Sequence, residues 1–484
     1  MNTQIMDVLH QKFAYPSFRT GQKEAIESVL DKKDTLVMLP TGSGKSLCYQ
    51  LPAYLMDGVT LIVSPLLSLM QDQVEQLHLK GEKRAVALNS LTSFSERKRI
   101  FKQINQYKFI YTSPEMLQNH EVLKVLKKVP IQLFVVDEAH CISHWGTDFR
   151  PDYLALASIR EKLGAPTTMA LTATATKQVR DEIIHFLGLE IKHTNQIIQS
   201  VDREEIKFIV EICEGNKNKI LIQYLKKMTG PGIIYFTSKK MADDWANGLR
   251  NEYGLKASSY HSNLEADDKI KIQQQFLNNR LQIICATSAF GMGFNKEDIR
   301  FIVHYHLPSS PEMYLQEVGR ASRDGKLGLA ILLYQPGDEY IQQRFIESSL
   351  PTKEIMTAVY KRQYNQLSAP DSMIKLANYF KDTTNSLNDA LEAIEKRKKI
   401  KYQQLSFMLQ YVYQTGCKRN NLLNYFGENK RNPLNECCSS CGLNQEHIIN
   451  KLNKEVQPCN QEETMEKILP WQEIYKSLYN NLQD

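Results

Sequence analysis

The 484-residue sequence predicts two consecutive α/β domains with parallel sheets, followed by a helical region that carries a cysteine cluster. Three observations lead to this fold class. Short apolar runs alternate with helical patterns up to about residue 340, which is typical of parallel sheets covered on both faces. The alternation is interrupted near residues 190–210, where no period is sustained. Beyond Pro351, long helical patterns replace it.

The strands of both predicted sheets are short aliphatic or β-branched runs that end in a polar, Gly or Pro turn. Those of the first domain are LVMLP at 36–40, TLIVSP at 60–65, FIYTSP at 109–114, LFVVDE at 133–138 and TMALTA at 168–173. Those of the second are IIYFTS at 233–238, LQIICATS at 281–288, FIVHYHLP at 301–308 and LAILLYQP at 329–336.

The change of pattern along the chain suggests four regions. The predicted boundaries give α/β domains over 1–200 and 201–345, a helical and metal-binding region over 346–445, and a polar tail over 446–484. The third region contains the helical patterns MIKLANYF at 373–380 and LQYVYQTGC at 409–417 and the basic run KRKKIK at 396–401. The pattern around 463–481 predicts a further helix, in a part of the chain that the structure does not describe.

The composition limits the class of protein. The chain has 60 Lys and Arg against 54 Asp and Glu, and this mildly basic balance permits a nucleic-acid partner without requiring one. A hydrophobic content of 42% argues against a disordered chain. The sequence has no run of ~20 apolar residues that could span a membrane, and its N-terminus has no signal-peptide pattern. We therefore expect a cytoplasmic protein with mostly reduced cysteines.

A glycine-containing loop follows the first predicted strand and precedes a helical pattern. It consists of Thr41, Gly42, Ser43, Gly44, Lys45 and Ser46. Glycines let backbone N–H groups approach phosphates, and the helix N-terminus adds positive potential. Lys45 is expected to reach the β- and γ-phosphates, and the Ser46 hydroxyl to ligate Mg²⁺. The alternative is an ordinary strand–helix turn, because Leu39 stands where the full motif has its first glycine.

Two acids end another strand of the same predicted sheet. Asp137 and Glu138 open the sequence DEAH, at the edge where α/β sheets bind ligands. Asp137 is the expected Mg²⁺ contact, and Glu138 can orient and deprotonate an attacking water. An acidic pair alone is usually a solvated turn, so this prediction depends on the phosphate loop upstream.

Hydrolysis also needs positive charge where the transition state becomes more negative. In the second domain, YLQEVGRASRDG supplies Gln316, Arg320 and Arg323 as candidate catalytic residues. Because these residues belong to the second domain, they can reach a nucleotide on the first domain only when the domains close. The alternative is a basic surface helix.

In their order and spacing, these motifs resemble the RecQ family of superfamily 2 DNA helicases. The resemblance covers about residues 10–340 and adds FRTGQKEAI at 18–26, LTATAT at 171–176 and ATSAFGMGF at 286–294. It implies two RecA-like domains with ATP and Mg²⁺ between them. It also implies that Tyr15 stacks on the adenine while Arg19 and Gln22 contact it. In motif VI of the family, which corresponds to QEVGRASRDG at 316–325, Ser322 replaces a usual glycine.

The segment after DEAH, CISHWGTDFRPDY, distinguishes this family from RNA-acting relatives. Its Trp145, Phe149 and Arg150 are candidate DNA contacts, because bases of single strands stack on aromatic and guanidinium groups. The alternative is a buried aromatic cluster. The chain has His144 and Thr147 where family members commonly have Gln and His, which bears on coupling between DNA and ATP.

Four cysteines gather within a short stretch of the third region. The family has a zinc-binding segment here, which implies Cys417, Cys437, Cys438 and Cys441 as Zn²⁺ ligands. Asn435 occupies the position of a usual ligand, so we expect Cys437 to take its place. The alternative is a set of unligated thiols. Only 43 residues follow Cys441, which is too few for both the winged-helix and HRDC domains of long family members.

Three hypotheses about function follow. The first is an ATP-dependent DNA helicase that, by resemblance, moves 3′ to 5′ on single-stranded DNA and unwinds tailed or forked duplexes in recombination or repair. The second is a DNA-stimulated ATPase that translocates or anneals without efficient strand separation. The third is a non-catalytic DNA-binding scaffold, which the complete set of candidate ATP-site residues disfavours.

Overall fold

The computed structural model describes residues 2–143, 149–291, 294–363, 369–429 and 436–456. Within these ranges the chain forms two parallel sheets in tandem, followed by a helical region. This arrangement confirms the predicted fold class. We call the parts built on the first and second sheets the first lobe and the second lobe.

The first lobe is built on a parallel sheet of seven described strands, in the order β3-β4-β2-β5-β6-β1-β7. The strands are β1 Thr35–Met38, β2 Val59–Val63, β3 Ala85–Leu88, β4 Phe109–Thr112, β5 Ile131–Val136, β6 Thr167–Thr172 and β7 Asn195–Ile198. The helices are α1 Asn2–Phe13, α2 Gln22–Leu30, α3 Leu47–Leu55, α4 Leu67–Leu79, α5 Phe94–Lys102, α6 Pro114–Leu117, α7 His120–Leu126, α8 Leu156–Lys162 and α9 Lys177–Phe186.

The second lobe contains a parallel sheet of six described strands, in the order β10-β11-β9-β12-β13-β8. The strands are β8 Ile206–Ile212, β9 Gly232–Tyr235, β10 Ala257–Tyr260, β11 Ile283–Ala286, β12 Phe301–His304 and β13 Gly328–Tyr334. The helices are α10 Lys217–Lys227, α11 Lys239–Asn251, α12 Ala266–Leu277, α13 Pro311–Val318 and α14 Asp338–Ser348.

The remaining helices follow the second sheet. They are α15 Lys353–Tyr360, α16 Asp371–Thr383, α17 Leu387–Tyr413, α18 Lys418–Tyr425 and α19 Gln445–Glu455. The first three of these enclose a small apolar core of their own, which includes Met356, Phe380 and Ile394. In α18, Leu422 packs into the core of the second lobe while Leu423 packs into that of the first. This short helix therefore joins both lobes.

The strands that the sequence predicted are all present, together with four strands that it did not predict. These are β3, β7, β8 and β10. Two of them lie within or next to the stretch near 190–210 that was expected to join the domains. β7 is a partly exposed edge strand with the sequence NQII. The segment that joins the sheets is therefore short, and we call residues 199–205 the interlobe linker.

The described part of the chain contains no helix that is both long enough and apolar enough to span a bilayer.

Candidate functional site

The predicted phosphate loop lies between β1 and α3, as the sequence indicated. Gly42 and Gly44 have φ angles of 85° and 76°, in the left-handed region that glycine adopts without strain. Ser46 is the N-cap of α3, and among the described residues its side chain makes no capping hydrogen bond. Lys45 Nζ donates to the carbonyl of Leu39 at 3.3 Å, so the lysine folds back over the loop.

The two acids follow β5, which lies two strands from β1 in the sheet order, so they face the phosphate loop across β6. Burial raises the pKa of Asp137 to about 7, the Glu138 carboxylate adds to this shift, and Lys45 opposes it. Burial conversely lowers the pKa of Lys45, which the two carboxylates oppose. These three groups therefore form one electrostatic cluster.

Glu138 has an unusual backbone conformation, with a φ of 48° for a residue that carries a side chain. Such a conformation costs free energy and is common at functional sites. Its Oε2 atom is buried and has no hydrogen-bond partner among the described residues, although His140 Nδ1 lies 3.4 Å away. A buried carboxylate oxygen that has no hydrogen-bond partner in the protein can accept a hydrogen bond from a water or another ligand.

Arg320 and Arg323 of the second lobe face the first lobe. A Cβ atom added to Gly42 would lie 2.7 Å from Cγ of Arg323, which shows how closely this side chain approaches the phosphate loop. Arg323 donates to the Phe294 carbonyl at 3.0 Å, and Arg320 to the carbonyl of Gly291. Burial lowers the pKa of Arg323 to about 9, and the neighbouring cations Arg320 and Arg203 add to this shift.

The phosphate loop, the acids and the arginines line a single cavity of about 490 Å³ between the lobes. Its walls include nearly all the predicted nucleotide-site residues, namely Tyr15, Arg19, Gln22, Thr41, Gly42, Gly44, Lys45, Ser46, Asp137, Glu138, Gln316, Arg320 and Arg323. Ser43 lies in the loop, and its buried hydroxyl has no hydrogen-bond partner in the described part of the chain. The cavity thus joins residues that are up to about 300 positions apart in the sequence.

Of the three residues expected to contact the base, Tyr15 and Arg19 are exposed and Gln22 is buried. The ring of Tyr15 is 46% exposed and stacks on Phe13. Gln22 donates to the Ser43 carbonyl at 2.8 Å and to the Gly44 carbonyl at 3.2 Å. Arg19 donates to the carbonyl of Gly42. In this structure, therefore, Arg19 and Gln22 support the phosphate loop itself.

A second cavity, of about 620 Å³, adjoins the first, and Gln316 and Arg320 line both. Thr237 and Ser288 at strand ends, Lys239 at the start of α11, and Arg150 of the first lobe also line it. The cavity therefore places hydroxyl groups and cations in one groove, a chemistry that suits nucleic-acid phosphates.

The predicted aromatic DNA contacts lie only partly within the described residues. Trp145, His144 and Thr147 are outside them. Phe149 packs edge-on against Tyr379 at 5.4 Å between ring centroids, and the Arg397 guanidinium lies 4.5 Å from its centroid. Arg150 donates to the Pro65 carbonyl at 2.7 Å. Phe149 thus contacts helices α16 and α17, and Arg150 contacts the first lobe.

The four predicted zinc ligands form one cluster. The Sγ atoms of Cys417, Cys437, Cys438 and Cys441 all lie within 4.8 Å of one another. A tetrahedral site with Zn–S bonds of about 2.3 Å places its sulfur atoms about 3.8 Å apart, so this donor set fits Zn²⁺. Cys437 is fully buried inside the cluster, and its carbonyl accepts a 3.2 Å hydrogen bond from Phe208 N–H at the edge of the second sheet.

One residue beside the candidate nucleotide site was missed by the sequence analysis. Arg203, in the interlobe linker, donates to the Thr41 carbonyl at 2.8 Å and to the Ser322 carbonyl at 2.7 Å. A single arginine in a short linker carries no sequence signal for such contacts. Only the fold brings Thr41 and Ser322 to either side of it.

Comparison with known proteins agrees with this geometry. Three family models match the chain in succession: DEAD/DEAH box helicase over residues 19–182, helicase conserved C-terminal domain over 216–325, and RecQ zinc-binding over 336–443. The probable ATP-dependent DNA helicase RecS of Bacillus subtilis is 44% identical over 463 residues, with 91% of this chain and 92% of RecS covered. The chain belongs to the RecQ family of helicases.

Longer members of the RecQ family share the same region. The ATP-dependent DNA helicase RecQ of Haemophilus influenzae is 34% identical over 89% of this chain, and the chain spans 62% of that protein. Among solved structures, Mss116p bound to ssRNA and AMP-PNP has a TM-score of 0.59 at 19% identity, covering 88% of this chain and 89% of that one. This structural likeness shows the two-lobed fold alone.

Proposed function

We propose that this protein is an ATP-dependent DNA helicase that moves 3′ to 5′ on single-stranded DNA and unwinds tailed or forked duplexes in recombination or repair. The observation that carries the proposal is the cavity between the lobes, which brings together the lysine, both acids and both arginines. RecQ-family relatives that are named ATP-dependent DNA helicases support it.

In the proposed reaction, the phosphate loop binds the triphosphate of ATP through backbone N–H groups and Lys45. Glu138 orients the attacking water and accepts its proton, since its carboxylate has a buried oxygen without a hydrogen-bond partner among the described residues. Arg320 and Arg323 stabilise the charge that develops on the transferred phosphoryl group. Gln316 lies in both cavities and can relay occupancy of one to the other.

Two metal ions belong to the proposal. Ser46 and Asp137 offer oxygen ligands beside the phosphate loop, and Mg²⁺ prefers such ligands. When bound, Mg²⁺ neutralises phosphate charge during transfer. Cys417, Cys437, Cys438 and Cys441 would hold a structural Zn²⁺, whose thiolate set leaves no open position for catalysis.

Single-stranded DNA is proposed to occupy the second cavity, with Phe149, Arg150 and Trp145 as contacts from the first lobe. Because Arg320 borders both cavities, closure of the lobes on ATP also changes the DNA groove. Repeated closure and opening would move the strand in one direction.

The test compares Lys45→Ala with Lys33→Ala, a change of an exposed lysine in the same lobe. Loss of the Lys45 ammonium should lower the DNA-stimulated ATPase kcat by about 100-fold or more, because a charged group at the transferred phosphate is removed. Lys33→Ala should retain full activity. Strand displacement on a 3′-tailed duplex should fail only in Lys45→Ala.

Other outcomes separate the hypotheses. Unwinding by Lys45→Ala would contradict the proposed mechanism. ATP hydrolysis by the unaltered protein without displacement of either a 3′-tailed or a 5′-tailed duplex would favour a translocating or annealing ATPase. Displacement of only the 5′-tailed duplex would contradict the proposed polarity.

A further inference from the structure

The interlobe linker meets both lobes and α18 at one junction beside the nucleotide cavity. Arg203 lies at the centre of this junction, with 14% of its side chain exposed. On one side, its Nη1 atom donates to the Thr41 carbonyl at 2.8 Å, next to Gly42 of the phosphate loop. The guanidinium therefore touches the backbone that holds the triphosphate in the proposed function.

On its other side, the same guanidinium contacts the turn that carries the two catalytic arginine candidates. It donates to the carbonyls of Gly319 and Ala321 at 3.3 Å and of Ser322 at 2.7 Å. This turn follows the C-terminus of α13, where backbone carbonyls lack helical partners and a cation is favourable. Arg203 thus holds the segment in which Arg320 lies.

The Arg203 side chain also donates from Nε to the Glu205 carboxylate at 2.5 Å, and the backbone around Arg203 is held by α18. Arg419 donates to the Asp202 carboxylate, to the Arg203 carbonyl at 2.9 Å and to the Ile206 carbonyl. Glu428, just after α18, accepts from Val201 N–H at 2.7 Å. Because α18 begins directly after Cys417, the cysteine cluster anchors the helix that holds the linker.

We propose that Arg203 is a positioning residue for ATP hydrolysis, which sets the distance between the phosphate loop of the first lobe and the arginine-bearing turn of the second. The inference rests on the proposed ATPase function and adds to it a residue that is not among those lining the nucleotide cavity. Arg203 acts through backbone carbonyls on both sides. A single ammonium group cannot make this divided set of contacts, because it lacks the planar fork of a guanidinium.

The experiment compares Arg203→Ala and Arg203→Lys with Arg160→Ala. Arg160 is a matched control, because its side chain is 12% exposed and its hydrogen bonds to Thr168 and Asp34 stay within the first lobe. The measurements are kcat and KM for Mg·ATP with saturating single-stranded DNA, the Kd of a fluorescent ATP analogue, and the Tm of each variant.

We expect Arg203→Ala to lower kcat by about tenfold to 100-fold, as an ångström-scale misplacement of catalytic groups does. The analogue Kd should change by less than about threefold, because the phosphate loop and its lysine are intact. Arg203→Lys should fold, and its kcat should lie between that of Arg203→Ala and that of the parent. Arg160→Ala should lower Tm while kcat stays within about twofold of the parent.

An unchanged kcat in folded Arg203→Ala or Arg203→Lys would overturn the inference. Equal losses of kcat in Arg160→Ala and Arg203→Ala would overturn it as well, since they would reflect general destabilisation. If the parent itself hydrolysed no ATP, the proposed function and the inference would both fail. If the parent and both Arg203 variants hydrolysed ATP with the same kcat, the inference would fail while the proposed function would stand.

Discussion

At the scale of single residues, the motif VI turn shows a local conflict between sequence and backbone. Ser322 has a φ of 56°, a conformation that glycine adopts without strain, and its buried hydroxyl has no hydrogen-bond partner among the described residues. Gly328 lies so close that an added Cβ would be 2.1 Å from the Ser322 Oγ atom. The serine at this position, where the family usually has glycine, therefore costs stability.

We expect Ser322→Gly to raise the free energy of unfolding by about 1 kcal/mol, since it relieves the left-handed strain and removes an unpaired hydroxyl. Urea denaturation followed by circular dichroism measures the change. The matched test is Gly328→Ala, which should destabilise the parent strongly and destabilise the Ser322→Gly variant less, because the clashing Oγ atom is absent there. Equal costs of Gly328→Ala in the two backgrounds would contradict this account.

At the scale of elements, the cysteine cluster joins a helix to the edge of a sheet. Besides the contact of Phe208 with Cys437, Val210 N–H donates to Ser439 Oγ at 3.3 Å, and Lys418 N–H, in the first turn of α18, donates to Cys438 Sγ at 3.3 Å. The cluster thus fixes the start of α18 against β8. An isolated eight-residue helix is unstable in water, so these connections and its apolar contacts must hold it in place.

We expect purified protein to contain about one zinc ion per chain and Cys437→Ser to contain much less, because three thiolates bind the metal far more weakly than four. Elemental mass spectrometry measures the metal content. Cys213→Ala, which changes a buried thiol outside the cluster, should keep the parent's zinc. Stoichiometric zinc in Cys437→Ser would show that Cys437 is not a ligand.

At the scale of the whole molecule, the candidate nucleotide site depends on both lobes, since each contributes part of one cavity. A nucleotide bound in this cavity therefore contacts both lobes, and the complete set of contacts exists only when both lobes are folded. Ligand that binds only the folded state stabilises it by about 2.7 kcal/mol when its concentration is 100 times Kd.

We expect a non-hydrolysable ATP analogue with Mg²⁺ to raise the Tm of the parent by a few degrees at that saturation. Lys45→Ala should show a smaller rise at the same concentration, because it loses a charged phosphate contact. Differential scanning fluorimetry makes the comparison. An equal rise in both proteins would mean that the analogue binds elsewhere.

The residues of the candidate nucleotide site could be selected from the sequence because they lie at strand ends. Lys45 follows β1 and Asp137 follows β5, and strands of a parallel sheet present their carboxyl ends at one edge. Hydrophobic periodicity did not predict β7 and β10, because their sequences NQII and ASSY are too short and too polar to form an apolar run. The interlobe linker is shorter than the stretch near 190–210 that was expected to join the domains, because β7 and the start of β8 lie within that stretch.

The sequence by itself determined the fold class, the phosphate loop, the acids and the cysteine cluster, because each depends on local residue order and on the alternation of buried and exposed segments. Only the tertiary structure decided that Arg203 joins the phosphate loop to the arginine-bearing turn and that α18 holds the linker. Those contacts run from arginine side chains mostly to backbone carbonyls more than one hundred positions away. A carbonyl is the same at every residue, so no sequence pattern marks the one that accepts.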